Sequence, residues 1–303
     1  MTVRTRFAPS PTGDLHLGGA WTALASWVVA RRDGGRCALR IEDLDPPRVV
    51  PGAEARIEED LRWLGLDWDD APVRQSDRGA HYESAIATLA AKGLVYPCDC
   101  SRAEIALVAN APHPGEEFVY PGTCRDRDPS RRMKRAPALR VRVPDEVVTY
   151  EDAIAGLVEQ NLARDVGDFV LRRGDGVFAY QLAVVVDDVA AAITDVVRGA
   201  DLIASTPRQI WLMRALEETP PRYAHVPLVV ASDGARLEKR HAALAVRALR
   251  NEGVSPTRML GSLAHGLGLA ATDALATAEE IARGCAGRRI PWRRDPWPAP
   301  ATW

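Results

Sequence analysis

No run of apolar residues in this chain approaches the ~20 needed to cross a bilayer as a helix, which excludes a helical membrane span. The opening Met1-Thr2-Val3-Arg4 lacks the apolar segment of a signal peptide, so the cytoplasm is the expected compartment. Cysteine is scarce: five residues, an odd and scattered set, which excludes a secreted disulfide scaffold. Lysine is scarcer still, with Lys92, Lys134 and Lys239 the only three among 39 basic residues. A strong charge of either sign is missing too. The net charge is −2, so binding to nucleic acid has to come from a local patch. There is no internal repeat, and no low-complexity segment beyond a Pro/Trp-rich tail. What remains is an ordinary globular composition, 47% hydrophobic and 26% charged over 303 residues, enough for one large domain or two.

The most informative stretch is Arg6-Phe7-Ala8-Pro9-Ser10-Pro11-Thr12-Gly13-Asp14-Leu15-His16-Leu17-Gly18-Gly19. A short strand over 2–7 breaks at two prolines, which a central strand does not accommodate, and a long helix opens at about His16 and runs to Arg32. A helix N-terminus gathers unpaired N–H groups and the positive end of the macrodipole, which suits a phosphate chain. Gly13, Gly18 and Gly19 allow close approach of a ligand, and His16 can donate to a phosphoryl oxygen as charge develops.

Strands and helices then alternate. Cys37–Ile41 reads as a strand ending in Glu42-Asp43-Leu44-Asp45, Pro51–Leu64 as a helix, and Arg78–Lys92 as a second helix capped by Asp77. The alternation indicates a parallel sheet with ligands at the carboxyl ends of its strands. From about Val95 the pattern changes. Cys98, Cys100 and Cys124 lie within 27 residues and suggest a zinc site; by general chemistry His113 is the fourth ligand. Eight basic residues against two acids follow between Pro121 and Arg142, and Arg288, Arg289, Arg293 and Arg294 cluster near the end; both patches suit an RNA backbone. Ala138–Val143 and Asp168–Arg173 read as strands. An apolar run, Ala183–Asp188, continues this sheet pattern, and Ile193–Arg198 is the next strand. A helix over Pro207–Glu217 leads to a last core strand, His225–Val230, and 241–303 is helical in pattern.

The Arg6–Gly19 string resembles the first motif of class I aminoacyl-tRNA synthetases in their glutamyl/glutaminyl wording, and the whole chain resembles the shorter, queuosine-modifying glutamyl-Q tRNA(Asp) synthetase family. That resemblance implies an α/β fold: a Rossmann-type parallel sheet over 1–94 and 176–240, a zinc-bearing insertion over 95–175, and a helical stem-contact segment over 241–303. Arg6, Ala8, Ser10, Glu42, Tyr180 and Arg198 would bind L-glutamate. Arg198 would read the side-chain carboxylate and Glu42 the α-ammonium group. His16, Gly18, Gly19, Arg236 and Lys239 would bind ATP with Mg, with His16 and Lys239 catalytic. The resemblance also replaces His113 by Tyr120 as the fourth zinc ligand, beside Cys98, Cys100 and Cys124.

Two departures stand out. Val184 occupies a position where glutamyl-tRNA synthetases carry Asn. The 236–240 copy of the Lys-Met-Ser-Lys-Ser loop has Arg236 for the first lysine and Glu238 for the serine. The expected activity is ATP-dependent activation of glutamate and its transfer to queuosine of tRNA(Asp), by a monomer with no membrane partner and no room for an anticodon-reading domain. The alternatives are a minimal synthetase charging a tRNA 3′ end, and an inactive RNA-binding paralogue suggested by Glu238.

Overall fold

The computed structural model describes residues 2–108, 119–231, 244–300 and 302–303. In chain order the elements are β1 (Arg4–Phe7), α1 (Leu17–Arg31), β2 (Arg36–Ile41), α2 (Ala53–Trp63), β3 (Val73–Arg74), α3 (Gly79–Ala91), β4 (Val95–Cys98) and α4 (Arg102–Val108). Then come β5 (Ala138–Val141), β6 (Val147–Asp152), β7 (Gly156–Asn161), the single turn α5 (Leu162–Asp165), β8 (Val170–Arg172), α6 (Tyr180–Ala190) and β9 (Asp195–Gly199). The rest is α7 (Thr206–Ala215), β10 (Arg222–Val226), β11 (Val229–Val230), α8 (Val246–Asn251), α9 (Pro256–Leu267), α10 (Ala278–Cys285) and β12 (Trp297–Pro298).

Two parallel arrays form the centre. One has the order β1-β2-β3 and the other β7-β6-β10-β9, with only the β6–β7 hairpin antiparallel. They meet where Thr194 N donates to Arg4 O (2.9 Å) and Arg4 N to Thr194 Oγ1 (2.8 Å). The strand order therefore reverses between β1 and β9, and such a switch point opens a crevice beyond the carboxyl ends of the strands. The β6–β7 hairpin has no counterpart in the sequence reading. It joins β10, so the sheet crosses the expected 175/176 boundary.

α1 lies against this switch point. Its sequence is apolar nearly all round, with Leu17, Ala20, Trp21, Leu24 and Val28 at 0–1% exposure, as suits a helix enclosed on several sides. Thr5 and Ser26 stitch it to β1: Thr5 Oγ1 donates to Ser26 O (3.0 Å) and Ser26 Oγ to Arg6 O (2.9 Å).

Three expectations change. Asp77 lies in a 3-10 turn, Gln75–Arg78, and caps nothing; Arg78 occupies the N-cap of α3 without a side-chain capping bond. The Ala183–Asp188 run is helical within α6, because its paired acids turn toward buried cations. The tail after α10 is part of the core: β12 pairs in parallel with β11, and Trp297 stacks on Trp21 at 4.9 Å and 15°. Gly266 leaves the room, since a Cβ there would stand 2.6 Å from Trp297 and 2.8 Å from Trp21. Trp297→Ala is expected to lower unfolding free energy by about 3 kcal/mol in urea titrations, and an unchanged midpoint would refute this role.

Candidate active site

The cleft at the switch point is walled by arginines held on carboxylates. Asp188, near the end of α6, accepts from Arg6 Nε (3.0 Å) and Arg40 Nη1 (2.5 Å). Burial works against its ionisation, but the two arginines overcome it and hold the carboxyl below its ordinary range. The neighbouring Asp187 accepts from Gln75 Nε2 (2.9 Å), Arg78 Nε (2.6 Å) and Tyr82 Oη (2.9 Å). Arg40 reaches on to Glu42, Nη2 to Oε1 at 3.2 Å. Burial pushes the Glu42 carboxyl up, more than Arg40 and Arg6 pull it down. Such a carboxylate is under-compensated by its two arginines, and an ammonium group could supply further positive charge. Tyr180 opens α6 beside them; its phenol is raised by burial and feels Arg198, Glu42 and Arg6.

Arg198 is the penultimate residue of β9, in register with His225 of β10, and is 5% exposed. Its Nε donates to His225 Nε2 (3.1 Å) and its Nη2 to Thr206 Oγ1 (2.8 Å). Its Nη1 is buried with no hydrogen-bond partner. A buried guanidinium with one nitrogen unpaired is costly unless an acceptor from outside completes it.

The loop after β1 is sewn to the strand that carries Glu42. Glu42 N donates to Pro9 O (3.0 Å) and Thr12 N to Ser10 O (2.8 Å), which sets Ala8 and the exposed Ser10 beside Glu42. His16 is the N-cap of α1, its Nδ1 accepting from Gly19 N at 3.0 Å. That bond leaves the ring proton on Nε2, free to donate. The ring is open to solvent on one side, yet the protein around it disfavours the imidazolium and lowers its pKa against the pull of Asp201. Gly18 accommodates the folded-back ring, since a Cβ there would lie 3.2 Å from two of its atoms. At Gly19 a Cβ would meet only the end of the Leu15 side chain.

Arg236, Glu238 and Lys239 lie outside the described residues. The described chain that follows them meets the start of α1: His16 pairs with Ala245, and Val246 N donates to Leu15 O at 2.8 Å.

A second cluster sits apart from the cleft. The sulfurs of Cys98, Cys100 and Cys124 lie within 4.8 Å of one another and could hold a metal ion. Cys100 and Cys124 are 3.6 Å apart, and the Tyr120 hydroxyl lies 3.3 Å from Cys98 and 3.8 Å from Cys100. Tetrahedral zinc with bonds of about 2.3 Å requires sulfur separations of about 3.8 Å, so the donors present fit that ion. Burial and Cys124 push the Cys100 thiol up to about 11. His113 lies outside the described residues.

Most of the Pro121–Arg142 patch is paired with acids of the same chain near the surface. Arg125 pairs with Asp168, Arg131 with Asp99, Lys134 and Arg135 with Glu104, and Arg142 with Asp126. Arg140 lies over the Tyr120 ring at 3.8 Å. Arg127 and Arg132 remain exposed. Arg288 meets the far end of α1, where its carbonyl accepts from Arg32, about 24 Å from His16 by helix rise.

Sequence reasoning missed Arg40, Asp152, His225 and Thr206, and took Asp187-Asp188 only as the end of a run. Two adjacent acids inside an apolar helix were the available signal for buried, paired charge. Val184, the departure from the Asn of glutamyl-tRNA synthetases, is 1% exposed among core side chains.

The family model for class I tRNA synthetases (E and Q), catalytic domain, matches residues 2–288. A Glutamyl-Q tRNA(Asp) synthetase of Nitratidesulfovibrio vulgaris is 49% identical over 276 residues, 86% of this chain and 85% of that one. One of Symbiobacterium thermophilum is 46% identical over 312 aligned residues, covering 98% and 95%. The crystal structure of a glutamate tRNA ligase from Elizabethkingia meningosepticum, in complex with its amino acid, superposes with TM-score 0.84 at 27% identity, over 99% of this chain and 68% of that one.

Proposed function

We propose, for a chain that belongs to the class I tRNA synthetases of the glutamate and glutamine catalytic family, that it activates L-glutamate with ATP and transfers it to queuosine of tRNA(Asp). The observation that carries the amino-acid half is the buried, unpartnered Nη1 of Arg198; a side-chain carboxylate completes it. The acceptor rests on the names of relatives matched along most of the chain.

Arg6, Ala8, Ser10, Glu42, Tyr180 and Arg198 hold glutamate in this reading, Glu42 taking the α-ammonium. The α-carboxylate attacks the α-phosphorus of ATP, forming glutamyl-adenylate and expelling pyrophosphate. A hydroxyl of the queuosine cyclopentenediol then attacks the adenylate carbonyl and releases AMP. His16 Nε2–H, the N-terminus of α1 at Gly18 and Gly19, Arg236 and Lys239 stabilise charge on the phosphates, and Mg accompanies ATP as a charge carrier. Zinc on Cys98, Cys100, Cys124 and Tyr120 would have a closed, structural coordination, ordering a segment whose own apolar cluster is small. The chain acts as a monomer in the cytoplasm.

Purified protein is expected to exchange labelled pyrophosphate into ATP with glutamate and without tRNA, and to label tRNA only from cells that make queuosine. No exchange at millimolar glutamate would point to an inactive paralogue. Labelling indifferent to queuosine would point to charging of a tRNA 3′ end.

Glu42 adds a pH dependence. Its carboxyl is raised in the empty site, and a bound ammonium lowers it, so binding favours the deprotonated form. Affinity for glutamate is therefore full above the empty-site pKa and falls as pH drops through it. KM for glutamate should rise on acidification in wild type, and that rise should flatten in Glu42→Gln. An equal slope in both proteins would refute the role.

A further inference from the structure

Arg198 differs from the other buried arginines of the cleft in what supports it. Arg6 and Arg40 rest on Asp188 and Glu42, so their charges are offset within the protein. Among the described residues Arg198 has no acidic partner within ion-pair distance; its supports are the imidazole of His225 and the hydroxyl of Thr206.

Asp152 makes the imidazole an acceptor. It accepts from the main-chain N–H of Ile154 and Ala155, both at 2.9 Å, and lies 2.6 Å from His225 Nδ1. A carboxylate satisfied in this way draws the ring proton to Nδ1 and leaves Nε2 bare for Arg198. Burial, with Arg198 and Arg6 nearby, holds the imidazole below its ordinary range against the pull of Asp152. Tyr223 stacks on His225 at 6.1 Å and 7°, and Arg198 lies 5.6 Å over the Tyr223 ring.

We propose that Asp152, His225 and Thr206 are specificity-determining positioning residues, which fix the Arg198 guanidinium through neutral acceptors and so reserve its charge for the substrate's side-chain carboxylate. A carboxylate built into the protein at either acceptor would have offset that charge beforehand, and a glutamine amide would then lose little against glutamate. A neutral support does the opposite: it sets the direction of Nη1 while leaving a buried positive charge that an anion balances and an amide does not. Selection between acid and amide thus depends on the neutrality of the two groups that touch Arg198, with the Asp152 carboxylate kept one side chain away, as well as on the arginine. The inference rests on the reading of glutamate as the substrate.

The test compares kcat/KM for glutamate and for glutamine by pyrophosphate exchange, with thermal melts as a check on folding. His225→Glu and Thr206→Asp, which set a carboxylate on Arg198 from either side, should each lower the glutamate-to-glutamine ratio by about tenfold or more. Most of that loss should lie in KM for glutamate. His225→Gln, which offers a neutral oxygen, should keep the ratio within about threefold of wild type even if the absolute rate falls. A folded acidic variant with the wild-type ratio would overturn the proposal. So would loss of the ratio in a folded His225→Gln, which decides the matter if the acidic variants do not fold. A wild-type protein without glutamate preference would instead sink the substrate reading itself.

Discussion

Arg198→Ala should lower kcat/KM for glutamate in pyrophosphate exchange by about a thousandfold, near 4 kcal/mol, while the far-ultraviolet circular dichroism spectrum stays unchanged. The size follows from burial. At 5% exposure the guanidinium faces the cleft with one nitrogen unpaired, so the substrate carboxylate meets it with little water between them. Truncation would leave that carboxylate desolvated and unmatched, a loss of about 2–5 kcal/mol for a buried charge pair. The fold should survive because the core around α6 and α7 is apolar and continuous. Full glutamate preference in a folded Arg198→Ala would remove Arg198 from the side-chain site and reopen the identity of the amino acid.

Loss of the metal should have the other large effect, on structure. Among the described residues, the buried cluster of this segment is Tyr96, Cys98, Tyr120 and Cys124, with Cys100 and Ile105 packed against it. Structural zinc supplies about 10 kcal/mol or more of apparent binding energy in small modules, far more than this cluster can. The purified protein is expected to carry about one zinc ion, and Cys124→Ser or prolonged chelation should release it. Limited proteolysis should then cut between 99 and 135, while the α1 core stays resistant. Protein isolated without zinc, and equally resistant with and without chelator, would refute the site.

The difference between what could and could not be read follows from the range of the forces involved. The 6–19 string carries its strand, its break and its helix start in neighbouring residues, because prolines, glycines and an N-cap act locally. Thiols near one another in sequence could be grouped by simple proximity. The pairing of the basic patch was hidden for the opposite reason: the acids that meet it, such as Asp168, Asp99 and Glu104, arrive from other turns of the chain.

The amino-acid order alone determined the alternating parallel architecture, the strand-to-helix corner at His16, the thiol cluster and, through family likeness, the roles expected of Arg6, Glu42, Tyr180 and Arg198. The tertiary structure decided which of the many arginines keep a charge to offer. Arg6 meets Asp188 across 182 positions, while Arg198 meets His225 across 27 and His225 meets Asp152 across 73. Electrostatic balance in a buried cleft depends on distances in space. Local propensity and spacing carry no record of those distances until the strands have paired.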